Sequence, residues 1–238
     1  MIQKSTLAFK IQAPPLVPIY GSELFFPVRR IWCVGRNFVD HALEMGGQPE
    51  KEPPFFFAKP ADAVVPLGGV INFPTKTEDL HHEVELAVAI GKPGQNIPAG
   101  SAHDHIFGYA VALDMTRRDV QAEAKRKGRP WDLAKGFDES CPVSAINRSI
   151  ISSDFGTACL SLQVNGVTKQ SAQIGDMILS VEECLSELSQ WVKLEAGDLL
   201  LTGTPAGVGP VKAGDVLSAS CDGVGQLDVH YTAARDHR

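Results

Sequence analysis

Two acidic side chains one residue apart, Glu83 and Glu85 in the run His81-His82-Glu83-Val84-Glu85, are followed downstream by an aspartate in Leu113-Asp114-Met115-Thr116. The stretch 82–90 reads as a strand, polar at its start and then apolar. Alternate side chains of a strand share a face, so Glu83 and Glu85 project the same way. Neighbouring carboxylates repel each other unless a cation sits between them or one holds a proton. The stretch 108–113 is a second apolar run, and it delivers Asp114 at its end. Three carboxylates from two strands suit a hard divalent ion such as Mg²⁺, which keeps waters and shares its remaining positions with a substrate. Glu-x-Glu also occurs on solvated strand faces. Here Val84, Leu86, Val88 and Ile90 argue for a buried strand, and buried carboxylates need a partner.

Other groupings carry chemistry less specifically. His41 and Glu44 stand three apart on a predicted helix and share a face. A carboxylate beside an imidazole orients it and raises its basicity, as a water-activating base requires; a surface pair on an amphipathic helix has the same spacing. Arg118 and Gln121 repeat that relation at the start of a second helix just after Asp114, where an arginine fork can grip a carboxylate. Arg117 points away from Arg118, so at most one of them serves such a site. Lys135 lies in the apolar run Trp131-Asp132-Leu133-Ala134-Lys135-Gly136-Phe137. A buried ammonium there stabilises a developing enolate or carboxylate; a lysine at a turn before Gly136 is the alternative. The stretch 201–209 follows a strand, its glycines allow close backbone approach, and Thr204 offers a hydroxyl and an amide. It matches neither phosphate-loop pattern, and on composition alone a structural turn is the safer reading. His103-Asp104-His105 has no third histidine or cysteine nearby to complete a zinc shell and reads as surface.

Composition narrows the class. With 238 residues, 44% of them apolar and 21% charged, the chain is long enough to bury a sizeable core and ordinary for a globular protein. A net charge of −6 and the lack of a long basic block argue against nucleic acid as a partner. The densest basic stretch, Lys125-Arg126-Lys127-Gly128-Arg129, reads as a solvated helix end. Five scattered cysteines, never in a C-x-x-C pair, fit reduced thiols in a cytoplasm. Neither a signal-peptide pattern nor a run long enough to span a membrane is present, so a cytoplasmic protein without membrane contact is expected.

The elements that must position these groups are mostly short strands punctuated by glycine and proline: 31–34, 55–58, 83–90, 108–113, 160–164, 198–202, 216–219 and 227–231. Asn165-Gly166 signals a tight hairpin. Helices are predicted over 37–45, ended by Gly46-Gly47; over 116–127, with Thr116 and Asp119 at capping-box spacing; and over 180–192, with Ser180 and Glu183 likewise. This pattern predicts a β-dominated α+β fold, not a doubly wound sheet. Residues 1–29, rich in proline, read as an extended N-terminal arm on a catalytic domain spanning 30–238, with a frayed tail over 232–238.

In order along the chain, Cys33-Val34-Gly35-Arg36-Asn37 with Asp40-His41 and Glu44, Lys59-Pro60, His81-His82-Glu83-Val84-Glu85, Leu113-Asp114-Met115-Thr116-Arg117-Arg118-Asp119-Val120-Gln121, Gly128-Arg129-Pro130-Trp131, Lys135-Gly136-Phe137 and Leu201-Thr202-Gly203-Thr204-Pro205 resemble the fumarylacetoacetate hydrolase family. The branch that holds the fumarylpyruvate hydrolases and acylpyruvases is the one resembled, and within it Arg29-Arg30 and Pro53-Pro54-Phe55-Phe56-Phe57 look more like the fumarylpyruvate members than the eukaryotic acylpyruvases. The resemblance implies a mixed β-sandwich or β-roll fold, a homodimer and a Mg²⁺ or Mn²⁺ site. It implies Glu83, Glu85 and Asp114 as metal ligands and His41 with Glu44 as the water-activating dyad. Lys135, Arg118, Gln121 and Thr204 would then hold the keto-acid end of a small 2-oxo acid. The implied reaction is hydrolysis of a 2,4-dioxo acid, such as fumarylpyruvate, to pyruvate and a carboxylic acid such as fumarate. Oxaloacetate decarboxylation, a related decarboxylase or isomerase activity, and keto-acid binding without catalysis are the alternatives. No residues of the acyl-end pocket can be assigned at this stage.

Overall fold

Short β-branched and aromatic runs leave few ways to bury both faces of a sheet, and this chain solves that by stacking. In the computed structural model, which describes residues 8–10, 12–44, 46, 55–149 and 155–234, the dominant element is a seven-stranded mixed sheet. Its order is Phe55–Lys59, Arg30–Gly35, Asp198–Leu201, Val84–Ile90, Ile106–Leu113, Cys141–Val143 and Val64–Pro66. A five-stranded sheet runs Val167–Gln173, Cys159–Val164, Val216–Cys221, Gly225–Thr232 and Gly69–Asn72. The fold is strand-dominated α+β, as expected.

The central strand Val84–Ile90 is buried at every position. Val84, Leu86, Val88 and Ile90 join Leu160 and Leu162 of the five-stranded sheet in one core. Ala87 and Ala89 turn to the other face, where with Ala110 and Ala112 they form part of a second core. Small side chains on that face let other segments come close. One of these is a hairpin of Leu16–Pro18 and Phe25–Pro27, which adds Val17, Ile19, Phe26 and Val28 to the second core. Residues 1–7 and 11 of the segment expected as an arm lie outside the described residues, as do 235–238 of the expected tail.

Three expectations are corrected. The run 82–90 is not one strand: His82 ends the strand Leu80–His82 of a separate three-stranded sheet with Thr116–Arg117 and Gly209–Val211, Glu83 is the junction, and the central strand starts at Val84. The helix predicted over 116–127 begins two residues later, as α2 (Arg118–Lys127), following α1 (Val39–Glu44). Thr116 and Arg117 pair instead with His81 and Leu80, because backbone pairing at the sheet satisfies their groups before the helix starts. The expected Thr116–Asp119 capping box therefore does not form: the Thr116 hydroxyl donates to Asp114 O, and Asp119 accepts from Thr77 and the Glu78 amide. Finally, Lys135 closes a short helix, α3 (Asp132–Lys135), rather than a bare turn.

Elsewhere local chemistry prevails. Asn165 and Gly166 carry φ of 52° and 77° and join two antiparallel strands, as the tight turn demands. Helix α4 (Val181–Trp191) starts on a complete Ser180–Glu183 capping box and buries Val181, Leu185 and Leu188. Helix α1 starts two residues after its predicted beginning; Met45 and Gly47 at its expected end lie outside the described residues, while Gly46 takes a φ of 74°.

Because Leu162 is fully buried where the two sheets meet, Leu162→Ala is expected to destabilise the protein by about 3 kcal/mol through lost contact and an unfilled cavity. A denaturant midpoint that hardly moves would show that the sheets are not packed tightly there.

Candidate active site and metal centre

Glu83 enters the site from the junction between two sheets, Glu85 from the second position of the central strand, and Asp114 from just past the end of Ile106–Leu113. The Asp114 amide donates to Glu83 O at 2.8 Å, which locks the two strand ends in register. One carboxylate oxygen from each of the three residues lies within 4.8 Å of the others, and all three residues are buried. These are the carboxylates the sequence brought forward, now on one point.

The protein counters their repulsion unevenly. Burial alone would raise the Glu83 carboxyl, but Lys135 and Arg118 outweigh it and hold Glu83 well below the usual range. Their nitrogens lie 2.8 and 2.5 Å from its two oxygens. Lys135 also contacts Asp114 Oδ2 at 2.5 Å, and although burial works against its charge, Asp114 and Glu83 keep its ammonium firmly protonated. Glu85 fares differently. Burial, then the neighbouring Asp114 and Glu83, push its carboxyl well above the ordinary value, with the Gly203 amide at 2.6 Å as a donor. Asp114 Oδ1 is buried with no hydrogen-bond donor; Lys59 Nζ approaches it at 2.8 Å as an ion contact only. An all-oxygen cluster with one carboxylate short of counter-charge and one oxygen short of a donor fits a hard divalent cation.

His41 is buried on α1, its Nδ1 3.3 Å from Glu44 Oε2. Burial, the largest influence, lowers its pKa below 6.5, so the imidazole is neutral and able to accept a proton at pH 7. His41 lines one small cavity with Glu83, Arg118, Gln121 and Lys135, walled by Phe55, Phe57 and Trp131. Arg118 Nη1 donates to Gln121 Oε1 at 2.7 Å, so the pair expected on α2 forms and faces this cavity. Arg117 points away, over the Phe137 ring. Thr204 is buried beside the site but is not among the residues lining the cavity; its hydroxyl accepts from Gln170 Nε2 at 2.7 Å.

The loop after Asp198–Leu201 has a structural reason for its glycines. Gly203 sits at φ +98°, and a Cβ there would lie 2.7 Å from Asn37 Cβ. Gly207, at φ +92°, would drive a Cβ to 2.0 Å from Lys169 O. Both amides are used: Gly203 donates to Glu85, and Gly207 to Glu44 at 3.3 Å. One backbone segment thus ties the carboxylate cluster to the dyad.

Two supporting residues have no role in the sequence reading. Lys59 is buried and donates to Met115 O, Ser140 O and Ser140 Oγ at 3.1 Å each, and also to Lys135 O. It thereby holds the end of α3 that presents Lys135. A lysine ending the aromatic strand Phe55–Lys59 was the available signal. Gln170 accepts from His82 Nδ1 and the Val84 amide and donates to Thr204 and Pro205 O. It lies on Val167–Gln173, a strand that is mostly exposed and polar, so nothing local marks it. Lys125 is exposed, as expected of a helix end, and also lines the cavity, with its Nζ 5.1 Å from the Trp131 ring centre. The pair His103–Asp104 is exposed, as expected. The thiols of Cys141 and Cys184 are pushed up to about 12 by burial, and Cys33 is raised by burial and by Asp114 and Glu85, so none offers a thiolate.

This arrangement has known counterparts. The family model described as fumarylacetoacetate (FAA) hydrolase C-terminal matches residues 30–230, and the chain belongs to the fumarylacetoacetate hydrolase family. A solved structure, fumarylpyruvate hydrolase from Pseudomonas aeruginosa in complex with Mn²⁺ and pyruvate, is 45% identical, with a TM-score of 0.93 over 96% of this chain and 100% of that one. The mitochondrial oxaloacetate tautomerase of Mus musculus is 46% identical over 205 residues, covering 83% of this chain and 92% of the relative. A mitochondrial oxaloacetate decarboxylase of Dictyostelium discoideum is 44% identical over 197 residues, covering 82% and 90%. Both curated relatives are mitochondrial by name, so cytoplasmic placement is not general among similar proteins. No helix among the described residues is long and apolar enough to cross a membrane.

The uneven charge of the cluster has a measurable consequence. Folded Glu85 holds its proton more firmly than an unfolded glutamate of pKa 4.5. Its contribution to metal-free stability is therefore complete below that value and lost as pH rises through the raised folded one. Glu85→Gln should melt no lower than the unaltered metal-free protein at neutral pH, yet lose about 100-fold or more in Mn²⁺ affinity. Retention of metal-induced stabilisation in that variant would remove Glu85 from the ligand set.

Proposed function

We propose that the protein is a metal-dependent hydrolase that cleaves the carbon–carbon bond of a 2,4-dioxo acid, an acylpyruvate such as fumarylpyruvate, and acts as a homodimer. The observation that carries this reading is the buried His41, paired with Glu44 at 3.3 Å, in the same cavity as Glu83, Arg118, Gln121 and Lys135. Mere binding of a keto acid needs no such base.

A Mg²⁺ or Mn²⁺ ion held by Glu83, Glu85 and Asp114 would supply Lewis acidity to the carboxylate and 2-oxo group of the substrate. The Arg118 guanidinium and the Gln121 amide then anchor that end of the molecule from α2. The Thr204 hydroxyl accepts from Gln170 and so keeps its own proton to donate. His41 takes a proton from a water molecule, whose oxygen bonds to the 4-oxo carbon. The bond between carbons 3 and 4 breaks, and its electron pair leaves with the pyruvyl fragment as an enolate. Lys135, protonated and buried, balances that charge. Protonation of the enolate gives pyruvate, and the acyl half departs as a carboxylic acid. Water is consumed once and no side chain is acylated, consistent with thiols that stay protonated.

The curated relatives favour one competing reading. Oxaloacetate tautomerisation and decarboxylation also pass through the enol or enolate of a 2-oxo acid, and the same clamp could serve either. Neither needs His41 to activate water for attack on a distant carbon.

Incubating the Mg²⁺-loaded protein with fumarylpyruvate, acetylpyruvate and oxaloacetate, assaying pyruvate from each and following the enol absorbance of oxaloacetate for tautomerisation, separates these readings. Release from the acylpyruvates is expected; pyruvate from oxaloacetate alone would replace hydrolase with decarboxylase. His41→Ala should keep metal binding while hydrolysis falls about 10²–10⁴-fold. In the unaltered protein kcat/KM should climb with pH along a limb centred below 6.5 and level off by neutrality, because the base must be unprotonated. A limb centred above that value, or one that persists in His41→Ala, would assign the base elsewhere.

A further inference from the structure

His81 has no part in the chemistry described so far, although its ring touches a residue that does. It stands on the small three-stranded sheet, opposite Thr116 in antiparallel register, with Leu80 opposite Arg117. One step further along, the Arg118 amide donates to Asp79 O at 2.8 Å. The Thr77 hydroxyl and the Glu78 amide donate to Asp119, so the segment before His81 is laced to the first turn of α2. Asp79 and His81 are two apart in an extended run and share a face. Together they meet the Arg118 side chain. His81 Nε2 lies 2.9 Å from Asp79 Oδ1, and Arg118 Nε donates to His81 Nδ1 at 3.3 Å. The imidazole side chain is only 16% exposed, so water competes little for its nitrogens.

The directions of these bonds are fixed by chemistry. An arginine Nε–H can only donate, so His81 Nδ1 presents its lone pair. The ring proton then lies on Nε2, where the Asp79 carboxylate accepts it. Asp79 thus selects the tautomer that Arg118 requires, since the other tautomer would set two donors against each other. A guanidinium carries one N–H on Nε and a pair on each terminal nitrogen. His81 takes the first, Gln121 Oε1 takes one from Nη1 at 2.7 Å, and Glu83 Oε1 takes one from Nη2 at 2.5 Å. One N–H on each terminal nitrogen is left, the fork that a carboxylate accepts bidentately. Gln121, its oxygen engaged by Arg118, keeps its amide N–H groups for the cavity that both residues line.

We propose that His81 is a positioning residue: Asp79 holds its ring with the proton on Nε2, and its bare Nδ1 turns the Arg118 guanidinium so that both terminal nitrogens face a substrate carboxylate. This rests on the proposed keto-acid reading of the site and adds to it the groups that aim its arginine. His81 is not among the residues lining the cavity, and it acts through Arg118 alone.

Two measurements test this, one of them without any ligand. In nitrogen NMR of the metal-free protein at neutral pH, the His81 signals, identified by their loss in His81→Leu, should show Nδ1 bare and Nε2 protonated. A proton on Nδ1 overturns the proposal. For binding, the Mg²⁺-loaded protein is titrated calorimetrically with pyruvate, the keto-acid product of the proposed reaction. His81→Leu should weaken pyruvate about tenfold, the scale of one hydrogen bond to a charged group. His81→Asn, whose amide oxygen replaces Nδ1 as acceptor, should stay within about threefold of the unaltered protein. In an Arg118→Lys background, which has no Nε–H, His81→Leu should cost nothing further. Thermal melting of each variant checks the fold, and a merely structural histidine would lower the melting temperature without these dependences. Unchanged affinity in His81→Leu, an equal loss in His81→Asn, or the same loss in the Arg118→Lys background overturns the positioning role and leaves the keto-acid site standing. If pyruvate does not bind the unaltered protein, the keto-acid reading itself fails, and the positioning role with it.

Discussion

Three carboxylates held within a few ångströms of one another, out of water, are the constraint around which this protein is arranged. Such a cluster is costly alone, because burial and mutual repulsion both oppose the charged forms. The surroundings compensate in a graded way. Lys135 reaches Glu83 and Asp114, Arg118 reaches Glu83, Lys59 stands against Asp114, and a glycine amide meets Glu85. What remains is one carboxyl driven towards its protonated form and one oxygen without a hydrogen-bond donor, a set of oxygens that could hold a divalent cation.

The fold serves that cluster by fixing strand ends. Apolar residues at alternate positions of Val84–Ile90 bind the seven-stranded sheet to the five-stranded one, while alanines keep the opposite face thin. The break at Glu83 lets one chain segment belong to two sheets, so that carboxylate stands at a seam rather than inside a ladder. Backbone groups do much of the fastening. The Asp114 amide meets Glu83 O, and glycines at 203 and 207 aim their amides at Glu85 and Glu44 in conformations that other residues resist.

The similar proteins carry the names of a hydrolase, a tautomerase and a decarboxylase. These activities share an enol or enolate next to a carboxylate and diverge in what happens farther along the chain. A centre that stabilises the shared species can stay constant while the far end of the cavity and the water-activating dyad decide the outcome. In this protein α2 connects the two regions, since a single helical stripe begins at the carboxylates and ends against Trp131.

Local signals survived folding wherever they were strong and short-ranged. The Asn165-Gly166 turn, the Ser180–Glu183 cap and the alternation of Val84 to Ile90 each depend on neighbours in the chain, and each is present. Ordered motifs also made the family legible, and with it the residues now gathered in the cavity. The capping box at Thr116 failed because a strand from elsewhere offered those backbone groups better partners. Gln170 was invisible, since a polar residue on a polar strand becomes a buried hub only when His82, Val84 and Thr204 surround it. Lys125 is exposed, as it read, but its position over Trp131 was not legible. The sequence alone therefore determined which groups could do the chemistry and which elements would carry them, since both follow from residue type and spacing. Only the tertiary structure decided which charges face one another and which polar residues become buried hubs, because those depend on distances between segments far apart in the chain.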